Sequence, residues 1–488
     1  MKLAKAGALV VLLGCSSSSG FEVADAVGSD DGTGETATDS AVDSGVDTGV
    51  DTGVDTGTPL DGGGEVGPPC SAADKPHPAA VFVSVGSGSD ATGDGSALAP
   101  FKTIAKGIPV AKVKAAPVLV LDQGTYPEAV QLVDLDAPLT LQGGWKRTGT
   151  VWFRVCEEGA RELTLIQSPA AGAVYVQGAR KRTGLEHLTV ISKTTPDPGQ
   201  SLFGIAVRGQ SLFYLDDVVV SAWKAGAGAP TPATPTAPAP VCDGVAGCTS
   251  AGSVGTTGAN GSVGGAGTFV ADGYVPKNGG DGVNGGNGSH GTPGATGASS
   301  ATDECNWGCS GSAGCNAALK TTVVGKPGRC GCGGIGGSAG KGGKSGGASV
   351  GLYVHGASAV VDVKNSVILA GDGGDGQSGG TGTPASGFTK GSAGDPSTCN
   401  TGGCTGTVSA CYYVTSKSIA GGAAGGEGRA GGQGGTGGAG AGGPSYGLVQ
   451  AAGATVTIDV PSKLTKGKGG AGGGVGLNGD SALKFTAP

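Results

Sequence analysis

Short runs of β-branched and apolar residues recur in pairs along this chain, with a turn between the two runs of each pair. Four copies of this unit begin at Ala173, Gly204, Gly351 and Gly447. Runs of this length rich in Val, Ile and Leu are typical of strands buried in a sheet. A single unit cannot bury its apolar face alone, so the copies are expected to stack in parallel. The pattern therefore predicts an all-β fold, a parallel solenoid with a continuous apolar interior.

Glycine recurs at every third position in five stretches that interrupt these units. Because glycine has no Cβ, this period places bare backbone along one edge of an extended helix with three residues per turn. The period favours a bundle of polyproline-II-like strands that hydrogen-bond to one another. A flexible Gly/Ser linker is the alternative, since 105 of the 488 residues are glycine. The stretches are Gly252–Gly267, Gly279–Gly297, Gly331–Gly346, Gly373–Gly382 and Gly425–Gly443.

The alternation of the two patterns divides the chain into seven parts. Insertions at one position of a repeat emerge on one face of the stack, so the glycine stretches are expected to share a face. The parts are a signal peptide 1–14, an acidic disordered tether 15–78, N-terminal coils 79–223, a Pro/Gly/Cys-rich insertion 224–347, a coil 348–371, a Gly-rich insertion 372–443, and the last coil with the C-terminus 444–488.

The first strand-forming residues carry a more specific pattern. The strand Val81-Phe82-Val83 is followed by a Gly-Ser-Asp loop, by Pro100-Phe101-Lys102-Thr103-Ile104 ("PFKTI") and by Gly124-Thr125-Tyr126. This order resembles the N-terminal coil of right-handed parallel β-helices of the pectin-lyase-like class. The resemblance implies a right-handed winding and a helix that caps the open end of the solenoid. The glycine stretches are similar to those of the polymorphic-GC-rich-sequence (PGRS) type.

The N-terminus resembles a bacterial lipoprotein signal. Lys2 and Lys5 accompany an apolar stretch, Ala6–Leu13, that is too short to span a bilayer. The following Gly14-Cys15 is similar to the end of a lipobox, and the resemblance implies lipidation of Cys15; an ordinary signal peptide is the alternative. Ser16 after the cysteine favours the outer membrane.

The tether that follows is acidic. Residues 22–65 contain twelve Asp or Glu and no Lys or Arg. Uniform negative charge with few apolar residues predicts a disordered spacer.

Twelve cysteines remain beside Cys15, an even number in a chain expected to be exported. This predicts up to six disulfides. Zinc is the competing interpretation, but the chain has no CxxC spacing and only four histidines. The candidate disulfide cysteines are Cys70, Cys156, Cys242, Cys248, Cys305, Cys309, Cys315, Cys330, Cys332, Cys399, Cys404 and Cys411.

Few residues point to catalysis. The acidic pair Asp216–Asp217 is a weak candidate site for polysaccharide cleavage, with a solvent-facing turn as the alternative. Two carboxylates must converge on one bond, and the sequence assigns the pair no second partner. His290 lies in a near miss to a Gly-His-Gly motif, inside a glycine stretch. Gly279–Asn284 approaches a calcium-binding nonapeptide without repeating it. No catalytic residue, metal ligand or cofactor is assigned, and calcium stays an alternative.

Composition and charge narrow the function. A net charge of −7 without a basic patch argues against a nucleic-acid partner. Trp145, Trp152, Trp223 and Trp307 are candidates to stack on sugars, with packing as the alternative. The expected function is a non-enzymatic structural or adhesive role as an exported, cell-surface lipoprotein of the outer membrane. The alternative is a polysaccharide-binding or polysaccharide-cleaving (lyase- or hydrolase-like) β-helix protein. The expected partners are the membrane, through the lipid anchor, and extracellular polysaccharide or other cell-surface components.

Overall fold

The apolar units fold into strands that lie in two largely parallel sheets, as the repeat predicted. A computed structural model describes residues 74–157, 159–232, 253–299, 323–400 and 416–488. All of them belong to one compact unit, residues 63–488. The signal peptide, residues 15–73 of the tether and Trp307 lie outside the described residues.

The described residues contain one α-helix, α1 (Ile104–Lys114), a 3-10 turn (Ala160–Leu163) and twenty-two strands. In chain order the strands are β1 (Val81–Val83), β2 (Val118–Asp122), β3 (Gly124–Tyr126), β4 (Val130–Val133), β5 (Leu139–Thr148), β6 (Val151–Arg154), β7 (Thr164–Gln167), β8 (Gly172–Gln177), β9 (Thr183–Ile191), β10 (Leu202–Arg208), β11 (Leu212–Ala222), β12 (Thr268–Val270), β13 (Gly273–Val275), β14 (Ser349–His355), β15 (Val360–Lys364), β16 (Val367–Ala370), β17 (Ser397–Asn400), β18 (Ser416–Ile419), β19 (Ser445–Ala451), β20 (Thr455–Ile458), β21 (Lys463–Thr465) and β22 (Ser481–Ala487).

Successive units contribute alternately to two sheets. The larger sheet has the order β1-β2-β5-β9-β11-β15-β20, with β3, β6, β7, β16 and β21 paired beside this path. The smaller sheet has the order β22-β19-β14-β10-β8-β4. From β8 to β22 the chain therefore passes back and forth between the sheets. Pairing is parallel throughout both sheets except between β5 and β6.

Equivalent apolar residues of the four repeated units stack in register inside the sheets. In the smaller sheet, Val174 pairs with Ile205, Ile205 with Leu352, and Leu352 with Leu448. All four side chains are fully buried and belong to the main core cluster. The predicted parallel stacking of the repeats is confirmed.

Helix α1 covers the first strands of the stack. The Thr103 hydroxyl caps it by accepting a hydrogen bond from the Lys106 amide at 3.2 Å. The Glu128 carboxylate accepts the amides of Ile104 and Ala105, both at 2.8 Å, where negative charge is favourable. The apolar side chains of α1, including Ile104, join the core. The helix expected after "PFKTI" is therefore present and packs on β1, β2 and β4.

The five glycine stretches, with flanking residues, and the glycine-rich residues 467–479 form six segments joined by backbone hydrogen bonds. Their amides bond to neighbouring segments at every third residue, as when Gly255, Gly258 and Gly261 donate to carbonyls of another segment at 2.8–2.9 Å. For the described residues, the bundle is therefore confirmed over the flexible linker. The segments are named g1 (253–267), g2 (278–298), g3 (325–347), g4 (372–394), g5 (421–443) and g6 (467–479).

Segment g5 lies at the centre of this bundle. Its backbone exchanges hydrogen bonds with all five other segments. Twelve of the nineteen residues 425–443 are glycine, because a central segment meets neighbours on more than one edge. A Cβ at Gly435 would lie 1.9 Å from the carbonyl oxygen of Ala259, and one at Gly434 would lie 2.1 Å from that of Ser338. The sequence of g5 thus reflects its place in the bundle.

Aromatic side chains join the bundle to the smaller sheet. The hairpin β12–β13, which connects g1 to g2, places Phe269 beside Tyr353, Tyr446 and Phe485, with ring centroids 5.7–5.9 Å apart. These rings belong to a second core cluster on this sheet. The end of g1 and the start of g2 are therefore fixed on an apolar base.

Candidate functional site

Three stacked units of the larger sheet bend at the same position. His187, Asp217 and Asn365 all have left-handed backbone conformations, with φ of 52°, 55° and 49°. They occupy equivalent places, since the residues just before them pair in register. Asn, Asp and His are the non-glycine residues that best tolerate this conformation. The bend therefore explains why three polar residues form a column on this sheet.

Asp217 links two basic groups at this column. One carboxylate oxygen lies 2.8 Å from His187 Nδ1, and the other accepts a hydrogen bond from the Arg161 guanidinium at 2.9 Å. The three side chains are 29–35% exposed. Burial alone would raise the pKa of Asp217, but the hydrogen bond from His187 and the charge of Arg161 outweigh it and hold the pKa below its ordinary value. Asp217 is thus a charged, oriented carboxylate.

A second carboxylate lies next to this group in a polar network. Glu186 accepts hydrogen bonds from Gln142 at 2.8 Å and from the Tyr214 hydroxyl at 2.7 Å. Burial raises the pKa of Tyr214, so it stays a neutral donor. Asp216 accepts a hydrogen bond from the side-chain carboxamide nitrogen (Nδ2) of Asn365 at 3.0 Å. Glu186, Asp216 and Asp217 are therefore each held by protein donors.

The arrangement differs from the solvent-facing turn considered for Asp216 and Asp217. Both residues lie within β11, and their side chains have different partners. Sequence reasoning assigned Asp216 and Asp217 no partner. The recurrence of Asp, His and Asn at one repeat position was the available signal. Chemically, Asp217 fixes one nitrogen of His187, as in the orienting pairs of acid–base catalysts, and Glu186 directly precedes His187 in β9.

The tryptophans separate into two kinds. Trp145 and Trp152 are only 2% and 7% exposed, so packing is their role. Trp223, directly after β11, is 47% exposed.

Polar side chains of g2 form a ladder along g3. They recur every third residue and accept the amides of g3 residues at 2.7–3.2 Å, which satisfies backbone donors that face no other segment. The ladder consists of Asn278, Asp281, Asn284, Asn287 and His290.

The same ladder accounts for two motifs noted in the sequence. His290 accepts the Gly333 amide through Nδ1. Asp281, in the nonapeptide-like stretch, bonds to the Gly342 amide and to Lys341 Nζ at 2.9 Å. The bond from Gly342, with that from Lys341, lowers the pKa of this carboxyl. In the described ranges no group of three or more His, Cys, Asp or Glu is placed to hold a metal ion.

Three candidate cysteines are disulfide-bonded: Cys156, Cys330 and Cys332. Cys399 lies in β17. Cys15 and the other candidates, Cys70, Cys242, Cys248, Cys305, Cys309, Cys315, Cys404 and Cys411, lie outside the described residues.

None of the helices in the described part of the chain has the length and apolar character needed to cross a membrane. No protein-family model, curated protein or solved structure matches the chain significantly.

Proposed function

We propose that the chain is a surface-exposed bacterial lipoprotein with a non-enzymatic structural or adhesive role. Its two sheets are the walls of a right-handed parallel β-helix of the pectin-lyase-like kind. The alternate passage of the chain between parallel sheets supports a solenoid, and the helix that covers the first strands is in keeping with this class. The β-helix serves as a base from which the glycine bundle is displayed.

The observation that carries the proposal is the direction of the bundle segments. Segments g3 and g5 end next to β14 and β19, and g4 begins just after β16. Hydrogen bonds from Gly282 to Gly340 and from Gly291 to Gly331 make g2 antiparallel to g3. The start of g3 and g5 and the end of g2 and g4 therefore lie at the end away from the sheets. A hydrogen-bonded bundle of this kind is a rigid support for contacts made at its far end and along its sides.

Ten of the thirteen cysteines support the same role by their positions in the sequence. Seven of them fall in the connections 233–252, 300–322 and 401–415, and Cys330, Cys332 and Cys399 lie in or next to g3 and g4. In the sequence, residues 300–322 lie between g2 and g3, and residues 401–415 lie between g4 and g5. Disulfides in these places suit a chain that works in an oxidising compartment.

Adhesion is tested with the full-length, lipidated protein in lipid vesicles. We expect these vesicles to bind cells or extracellular matrix of the producing bacterium. Gly435→Ala, which disturbs the centre of the bundle, should reduce this binding, while Gly387→Ala, with nothing within 4 Å of the added methyl, should keep it. Equal binding by protein-free vesicles would overturn the adhesive role.

The anchor has a separate test. Cys15 should incorporate labelled palmitate, with the outer membrane as the expected location, and Cys15→Ser should abolish the labelling. Unchanged labelling in the variant would refute lipidation at this residue.

The alternative function is polysaccharide binding or cleavage on the larger sheet. The His187–Asp217 pair beside Glu186 favours it, because an oriented imidazole and a nearby carboxylate are the groups that acid–base catalysis needs. The protein is incubated with acidic and neutral polysaccharides, and reducing ends and unsaturated products are measured. Turnover that is lost in both Asp217→Asn and His187→Gln would replace our proposal with this one.

A further inference from the structure

Trp223 is an exposed aromatic residue whose backbone is held by hydrogen bonds. Its amide donates to the Ser192 hydroxyl at 2.9 Å, and its carbonyl accepts a hydrogen bond from Ser349, also at 2.9 Å. The backbone is thus fixed on both sides, yet nearly half of the residue's surface faces solvent. An exposed tryptophan on a fixed backbone is a ready platform for a ligand, since its large ring loses little freedom on binding.

This ring lines an open cleft of about 500 Å³ between the loop after β9 and the start of the glycine insertion. The proline rings of Pro196 and Pro198 form its apolar side, and Thr194 and Gln377 add polar groups. This volume falls within the range of small-molecule sites, which is roughly 300–1,000 Å³. The mixture of an aromatic face, apolar walls and a few polar groups is the usual composition of such sites.

An ion pair between Lys224 and Asp375 lies at the cleft. Lys224 lines it, and its Nζ lies 3.5 Å from Asp375 Oδ2, with both side chains about half exposed. The other oxygen of Asp375 accepts the Ala471 amide at 2.8 Å, which fixes the carboxylate. The pair supplies both a donor and an acceptor without net charge. Ligand hydroxyl groups need both, because each hydroxyl donates one hydrogen bond and accepts others.

We infer that the Trp223 cleft binds a neutral saccharide, with a sugar ring stacked on the indole and its hydroxyls at Lys224, Gln377 and Thr194. The inference rests on the proposed adhesive function and names the class of its partner. An anionic sugar suits the cleft less well, because Asp375 offsets the charge of Lys224. A proline-rich peptide would use the aromatic face but has no hydroxyls and few donors for the polar groups.

The test is isothermal titration of the full-length protein, together with its tryptophan fluorescence. The probes are cellohexaose, maltohexaose and chitohexaose, with oligogalacturonate and a decaproline peptide as comparisons. We expect at least one neutral hexasaccharide to bind and to change the fluorescence. Trp223→Ala should weaken this binding by about tenfold or more, which corresponds to the loss of about 1.4 kcal/mol. Trp223→Phe, which retains a ring, should weaken it less.

Phe388→Ala is the matched control, because Phe388 is an exposed aromatic residue of 44% exposure in g4, away from the cleft. The affinity of the Phe388→Ala variant for the neutral hexasaccharide should equal that of the unaltered protein. The inference is overturned if no neutral hexasaccharide binds, if binding survives Trp223→Ala, or if decaproline or oligogalacturonate binds more tightly than every neutral probe. Vesicles that fail to adhere while saccharide binding persists would contradict the adhesive role alone.

Discussion

The sheets and the glycine bundle use the same extended backbone but are stabilised in opposite ways. In the sheets, side chains such as Ile205, Leu352 and Leu448 fill the interior and are fully buried. In the described residues of g1–g6, the buried hydrophobic side chains are only those of Ala439 and Ala441. The bundle therefore depends on close backbone approach and hydrogen bonds, and the sheets depend on apolar burial.

This difference determines which change in side-chain size each region tolerates. A methyl group removed from the sheet interior leaves a cavity, whereas a methyl group added to the bundle interior meets backbone atoms. The two regions should thus respond to substitutions of opposite kind. Four substitutions test this comparison, and each should lower the free energy of unfolding of the full-length protein, measured by urea denaturation or hydrogen exchange.

Leu352→Ala should have the largest effect. Leu352 is fully buried and lies between Ile205 and Leu448 in the smaller sheet. Leucine-to-alanine changes in a core cost about 2–5 kcal/mol, because burial is lost and a cavity remains. Urea denaturation followed by circular dichroism measures the loss. Leu98→Ala, at a residue 69% exposed, is the control and should change stability by less than about 0.5 kcal/mol.

Gly435→Ala should have the second-largest effect. It should lower the free energy of unfolding by about 1–3 kcal/mol, because the added methyl group overpacks the site. The new methyl group would lie 1.9 Å from the Ala259 carbonyl oxygen, so g1 and g5 must move apart. Gly387→Ala offers the same chemistry in the same bundle without a neighbour within 4 Å. It should leave stability unchanged or raise it by up to about 1 kcal/mol, because alanine restricts the unfolded chain. Equal losses in both variants would show that g5 is not packed as described.

Sequence reasoning could predict the two kinds of packing but not the partners within them. The repeats identified the strands and their stacking, because the copies at Gly351 and Gly447 have the same spacing of apolar runs and the copy at Gly204 is only one residue shorter. The three-residue glycine period favoured a bundle, yet it could not say which segments adjoin. Thr436, for example, donates to Asn260, which is 176 residues away.

Sequence reasoning also missed the partners within the polar column. Asp217 lies 30 residues from His187 and 56 residues from Arg161, and only the left-handed bend brings them together. Nothing in the local pattern around Arg161 marks it as a partner, since it belongs to a 3-10 turn between strands. The equivalence of His187, Asp217 and Asn365 becomes visible once the strands are in register.

Asp217→Asn should lower the free energy of unfolding by about 1 kcal/mol at neutral pH. This is less than a buried charged hydrogen bond contributes, because Asp217 is about one-third exposed and solvent screens its charge. Asparagine keeps the shape and tolerates the left-handed conformation, so the charge is what changes. The pKa of Asp217 is lowered in the folded protein, so its stabilisation is present above the unfolded value of about 3.9 and is lost as pH falls through the folded value. Urea denaturation should therefore show a difference at pH 7 that shrinks as the pH falls below about 3.9. A difference independent of pH would mean that the carboxylate charge is not its cause.

Asn284→Ala should have the smallest effect on the bundle, about 0.5–1.5 kcal/mol, through one lost acceptor. Asn284 accepts the Ala339 amide at 2.7 Å from an exposed position, so water can replace part of the bond. Asn284→Asp is the matched control, because Asp281 already accepts the Gly342 amide from the equivalent rung of the ladder. Hydrogen exchange at Ala339 should accelerate in the alanine variant and stay slow in the aspartate variant. Faster exchange in both variants would mean that the ladder needs the neutral carboxamide. Slow exchange in both variants would mean that g3 is held without the ladder, by the backbone hydrogen bonds that Gly337 and Gly340 donate to g5.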